Sequence, residues 1–259
     1  MLLAELCLLF ILGFTYCHGV LAVARKGIIW EAMISVLYPF CCCFIKSPDQ
    51  LVSRLVITES LFNMLCLLIK IVHTLHLKEL TSKMRPLFIG WCCIQLGGFI
   101  VARAYKGMSL TLFPHLLMAG MFFFILRKHN VPTVDTQGRI NMVAEESAWM
   151  MPVAYAFWFI NAHFVDKEDS FPHLAFSVLQ SSSILVAAYS GEFWHARLLT
   201  ASHLIISRHT FEEFIKFPDN FATLNIDGMV YLKESLSVIS ALGILLVFSY
   251  WMLRDGRDK

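Results

Sequence analysis

Nine apolar runs follow one another along this chain, at roughly 2–24, 28–45, 52–75, 86–105, 108–126, 148–165, 171–190, 192–207 and 234–253. A helix needs about 17–25 apolar residues to cross the ~30 Å hydrocarbon core of a bilayer. In lipid each backbone N–H and C=O must find an internal partner, and a helix supplies these within itself. Composition points the same way, with 58% hydrophobic residues, 15% charged residues and a mean hydropathy of +0.65. Soluble domains carry about a quarter charged residues. The sequence therefore predicts an all-α fold, a polytopic membrane helix bundle with 8–9 transmembrane helices, in which residues 1–259 form a single integral membrane domain.

The charge balance narrows the partners. A net charge of +2 without a basic cluster excludes nucleic-acid binding. Lys and Arg residues number eleven in the loops after odd-numbered runs and the C-terminus, against eight after even-numbered runs. That excess favours a cytosolic C-terminus and, with nine spans, a lumenal N-terminus. The first run reads as a retained span, because it lacks the basic n-region of a signal peptide although Ala22-Val23-Ala24 would suit cleavage. All eight cysteines fall in apolar runs and none forms a C-x-x-C pair, so neither a disulfide framework nor a cysteine metal site is expected. The triplet Cys41 to Cys43 is a candidate for palmitoylation. Segment 127–147 reads as a polar loop. Segment 208–233, with Phe211, Phe214, Phe217 and Phe221, reads as a half-buried loop or interfacial helix.

Phe113-Pro-His-Leu116 recurs as Phe171-Pro-His-Leu174, and the same shift of 58 residues aligns Trp91 with Trp149, Phe99 with Phe157 and Ala104 with Ala162. Residues 91–126 and 149–185 are thus a candidate hairpin repeat, an arrangement found in membrane transport folds. It would make His115 and His173 equivalent. The simpler reading is that the tetrapeptide starts a helix, with Pro where no N–H is missed.

Ionisable side chains inside such runs are costly and are functional candidates by default. The densest set lies in Gly191-Glu-Phe-Trp-His-Ala-Arg-Leu-Leu-Thr-Ala-Ser-His203. At 100° per residue Glu192, His195 and His203 share one face, Arg197 lies at its edge, and Trp194, Leu198, Ala201 and Ile205 form a narrow stripe for lipid. Three readings fit that face. Glu192-x-x-His195 has a spacing that helices use for iron or manganese, but no histidine-box partner accompanies it, so no metal site and no cofactor is expected. A carboxylate and an imidazole in a dry pocket can exchange protons. Alternatively, the helix lies at the interface with its charges in water. Glu59, deep in the third run with Asn63 one turn on, is the best-placed carboxylate elsewhere. Lys70 is expected to snorkel to the interface.

Lys78-x6-Arg85-Pro86 resembles the first motif of phosphatidic-acid-type lipid phosphatases, but Tyr189-Ser-Gly-Glu192 and Ser207-Arg208-x5-Phe214 lack both histidines which that chemistry requires. Arg197-Leu198 with His203 resembles rotary ATP synthase subunit a in outline only. Glu59 and the helix Thr111-Leu-Phe-Pro-His-Leu-Leu-Met118 are similar in style to small sterol isomerases and sigma-2-like receptors, which implies a lipid-facing cavity and no residue roles. The function expected is an endomembrane protein, in the endoplasmic reticulum, that binds or isomerises an apolar lipid of sterol or isoprenoid type. Glu59, Glu192 and His203 would be catalytic, and His115, His173 and Arg197 would contact the substrate. The alternatives are a non-catalytic membrane subunit held by partner subunits, and a proton or ion pathway. Membrane lipids are the expected partners in all three.

Overall fold

The computed structural model describes residues 2–45, 54–105, 107, 109–128, 133–135, 139–141, 149–165, 171–211 and 229–255. The helices are α1 (Leu2–Ala24), α2 (Ile28–Ala32), α3 (Tyr38–Ile45), α4 (Arg54–Thr74), α5 (Lys78–Tyr105), α6 (Ser109–Lys128), α7 (Met150–Ile160), α8 (Phe171–Ser190), α9 (Phe193–Thr210) and α10 (Met229–Asp255). Two π-helical turns interrupt them: Met33–Leu37 joins α2 to α3, and Asn161–Val165 prolongs α7. Within the expected polar loop, β1 (Thr133–Val134) and β2 (Ile140–Asn141) form a short antiparallel bridge, Thr133 opposite Asn141 and Val134 opposite Ile140.

The all-α expectation holds apart from that bridge. Among the described residues two helices are long and apolar enough to cross a membrane, Leu3–Ala24 and Lys233–Arg254. Shorter apolar helices are Ile28–Cys42, Ser60–Thr74, Leu110–Phe124 and Ala175–Ser190. Of the eight or nine full-length crossings expected from the sequence, the described residues supply these two, with the four shorter apolar helices beside them. The aromatic-rich segment after Phe211, with Phe214, Phe217 and Phe221, lies outside the described residues.

The chain forms two compact units, one of Met1–Phe88, Pro132–Asn141 and Val178–Asp219, the other of Ile89–Val131, Met142–Ser177 and Asn220–Lys259. In the first, α9 is the central element, packed by α1, α3, α4 and β2. Its middle shows why it can be central. Ala196, Leu199, Thr200 and Ala201 are small or apolar and buried, so neighbouring helices come close. Trp194, Leu198 and Ile205 are half-buried, whereas Ala201 is enclosed. A Cβ on Gly13 of α1 would meet the Ser182 hydroxyl at 2.6 Å and the Leu179 carbonyl at 2.9 Å, so α1 lies flush on α8 there.

In the second unit α10 packs on α6 and α7. Gly243 permits this contact, since a Cβ would stand 2.5 Å from the Phe157 ring. Phe124 meets Trp251 edge-on at 5.0 Å and Phe248 at 5.7 Å, which aligns α6 with α10. Phe113-Pro-His-Leu116 sits inside α6, while Phe171-Pro-His-Leu174 opens α8. The helix-start reading therefore describes only the second copy.

Candidate functional site

The site grows from the turn between α8 and α9. The last residue of α8, Ser190, is followed by Gly191 at φ +75°, a left-handed conformation that glycine adopts at little cost and that commonly ends a helix. Arg139, held by Asp135 at 2.6 Å, lies over Gly191, where a Cβ would stand 2.7 Å from Nη1. Glu192 then occupies the N-cap position of α9, but its carboxylate does not cap its own helix. It turns inward instead.

There it meets Arg25, Lys70 and His195. Arg25, just beyond α1, reaches Glu192 Oε1 at 3.3 Å and also donates to the Ser190 carbonyl. Lys70 of α4 stands 3.6 Å from Glu192 Oε2 and 2.9 Å from Oε2 of Glu31 on α2. His195, one turn into α9, places Nδ1 3.1 Å from Glu192 Oε2 and Nε2 3.0 Å from Glu31 Oε1. The second contact is at ion-pair distance but poorly directed for a hydrogen bond. Glu31, Glu192 and His195 are all buried. Formally the two carboxylates balance Arg25 and Lys70, and His195 tips the balance when it carries a second proton.

The decisive atom is His195 Nδ1. Lys70 Nζ approaches it at 3.3 Å and Glu192 Oε2 at 3.1 Å. An ammonium only donates and a carboxylate only accepts. Nδ1 therefore takes a hydrogen bond from Lys70 when it carries no proton, and gives one to Glu192 when it does. One proton on this ring decides which neighbour the imidazole joins.

Of the residues read as a site, Glu192 is here and His203 is not. His203 is eight residues beyond His195, about 12 Å along the helix, and donates from Nε2 to the Ile34 carbonyl at 3.0 Å while its ring stacks on Tyr38 at 4.5 Å. The carbonyl is offered by the π-helical turn Met33–Leu37, where the regular i to i−4 pattern is broken. Arg197 is buried on the same helix. Glu59 lies on α4 and His173 in the first turn of α8, but their side chains fall outside the described residues. His115 belongs to the second unit.

Two expectations are corrected. Lys70 does not snorkel outward; with its side chain 12% exposed, it points at two carboxylates. The charges of α9 do not lie in water, because Glu192, His195, Arg197 and His203 are each buried by other helices. Glu31 was missed altogether, although a lone acid within the apolar run 28–45 is the signal that singled out Glu59.

The second unit holds a neutral counterpart. The Trp158 indole donates to His115 Nδ1 at 2.8 Å, which puts the proton of the neutral ring on Nε2. Asn161 donates to the Thr111 carbonyl at 3.0 Å, and Ser237 donates to the Asn161 Oδ1 at 2.9 Å. Pro114 inside α6 has no N–H to give the Leu110 carbonyl four residues back. Among the described residues no group of three or more His, Cys, Asp or Glu is placed to hold a metal ion. Comparison with known protein families, with curated proteins and with solved structures gives no match.

Proposed function

We propose that this chain is a multi-pass protein of the endoplasmic reticulum membrane that binds an apolar lipid of sterol or isoprenoid type and shifts a double bond in it by acid and base groups. The observation behind this reading is His195 Nδ1, poised between Lys70 as donor and Glu192 as acceptor. Moving a double bond needs a proton delivered to one carbon and another removed nearby, in a place that water does not reach. The residues assigned to that work are Glu192, His195, Glu31 and Lys70, with Arg25 paired to Glu192 at the edge of the cluster. Glu59 and Arg197 remain candidates on the elements that surround them.

The test uses the purified chain in detergent with a mixed sterol and isoprenoid extract in heavy water. The expected result is deuterium at carbon in one lipid, reduced about 10²–10⁴-fold by His195→Gln at unchanged protein level. Lipid without deuterium, or deuterium retained in His195→Gln, defeats the enzymatic reading.

A second reading, a non-catalytic membrane subunit, draws on the charge balance of Arg25 and Lys70 against Glu31 and Glu192. A compensated network of this kind fixes how helices dock. On that reading His195→Gln lowers abundance and leaves every lipid unlabelled. A proton pathway predicts instead that vesicles holding the protein dissipate a pH gradient, and that Arg197→Ala stops them.

A further inference from the structure

The far end of α9 carries a second polar cluster. Ser207 is fifteen residues from Glu192, about 22 Å along the helix. Its hydroxyl lies 2.7 Å from the Tyr16 hydroxyl of α1 and 2.5 Å from the Tyr38 hydroxyl of α3. Three hydroxyls carry three O–H donors, and these two bonds use two of them. The third donor, on a tyrosine, is turned toward the other tyrosine hydroxyl, and several lone pairs are left for a further partner.

That spare capacity faces an apolar exterior. Tyr16 is 37% exposed, and it stands on a helix long and apolar enough to cross a membrane. One turn before it on α1 are Leu12 and Ile11, both exposed, and Leu37 and Phe40 flank Tyr38 and are exposed as well. Beneath the hydroxyls the floor is closed by Cys42 packed on Ile206 and by the Tyr38 ring stacked on His203. His203 is itself held by the Ile34 carbonyl, so the Tyr38 ring cannot swing freely. Among the described residues the bonds of these hydroxyls run to one another, neutral groups throughout, which disfavours a phosphate or carboxylate headgroup.

We infer that Tyr16, Tyr38 and Ser207 hold the hydroxyl of a lipid alcohol whose apolar body lies along α1 and α3. A lipid hydroxyl can enter that ring, giving one hydrogen bond to a lone pair and taking the donor that one tyrosine turns toward the other. The surrounding leucine, isoleucine and phenylalanine side chains match a body of rings or prenyl units. The site stands whether or not the Glu192 end carries out chemistry, since the two clusters share only the helix between them.

Photolabelling of the full chain in nanodiscs tests it, with three probes: photoreactive cholesterol, its 3-deoxy analogue and a photoreactive long-chain prenol. The expected result is labelling on peptides of α1 and α3 by one of the alcohols, about tenfold above the deoxy compound. Which alcohol labels tells sterol from prenol. Tyr16→Phe with Tyr38→Phe keeps both rings and should remove the preference. Equal labelling by cholesterol and its deoxy analogue with none by the prenol, no labelling at these peptides, or an undiminished preference in the double variant overturns the site. Should the double variant fail to fold, Tyr16→Phe alone, at the exposed edge, is scored by the same criteria, and the comparison of probes on the unaltered chain decides without any variant.

Discussion

Each unit of this molecule buries a histidine, and the two are buried in opposite ways. His195 is enclosed by ionised groups, with Glu31 and Glu192 on one side of the ledger and Lys70 and Arg25 on the other. His115 is enclosed by neutral ones, the indole of Trp158 and the amide of Asn161. The difference lies in what each can do with a proton. Trp158 can only donate, so His115 Nδ1 is fixed as an acceptor. His195 has donor and acceptor at the same nitrogen, and both assignments are open to it. Burial alone does not make a histidine an acid or a base; the chemistry of its neighbours does.

The comparison predicts that removing a charge hurts more than removing a neutral partner. Lys70→Met leaves Glu31 and Glu192 facing each other around His195, and should lower stability by about 3–5 kcal/mol, read as thermal unfolding in detergent. Adding Glu31→Gln to it should restore part of the loss, because the second change removes the stranded charge. A double variant no better than the single one would mean that Lys70 acts through packing.

A smaller effect is expected in the second unit. His115→Leu strands the Trp158 N–H, at a cost of about 1–3 kcal/mol, with a change in tryptophan fluorescence as the local readout. If it equals Lys70→Met, the neutral network is as demanding as the charged one and the contrast fails. Gly243→Ala falls in a similar range, about 1–3 kcal/mol, since the Phe157 ring must yield to the new methyl group. Arg25→Ala should come last. Its side chain is 43% exposed, and such pairs contribute about 0–1 kcal/mol. Melting indistinguishable from the unaltered chain is the expected outcome, and a large loss would place Arg25 among the buried charges.

What the sequence displayed of this site was one helix face. The spacing of Glu192, His195 and His203, and the opposite stripe of Trp194, Leu198 and Ile205, follow from helical periodicity, and α9 keeps that stripe half-buried. The partners were not legible. Glu31, Lys70 and Arg25 come from other helices, and no local spacing records that they converge on α9. Lys70 looked like an interfacial residue because a long side chain on an apolar helix ordinarily escapes to water; two carboxylates inside the fold reverse that choice. His203 shared a face with Glu192 on the helical wheel, yet the rise of the helix carried it to different partners. A wheel shows direction and not height. The π-helical turn that offers the Ile34 carbonyl had no marker in its sequence of Met, Ile, Ser, Val and Leu.

The separation of Lys70 from His195 along the chain, 125 residues, also sets a timetable for synthesis. At about 5–20 residues per second a ribosome delivers His195 some 6–25 s after Lys70. Throughout that interval Glu31 and Lys70 already exist, and each is the other's nearest counter-charge. They can dock as an internally neutral pair of helices, and α9 then arrives with Glu192 to meet the waiting Arg25. The network divides into two neutral pairs that the ribosome completes at different times: Glu31 with Lys70 early, and Arg25 with Glu192 only when α9 is made.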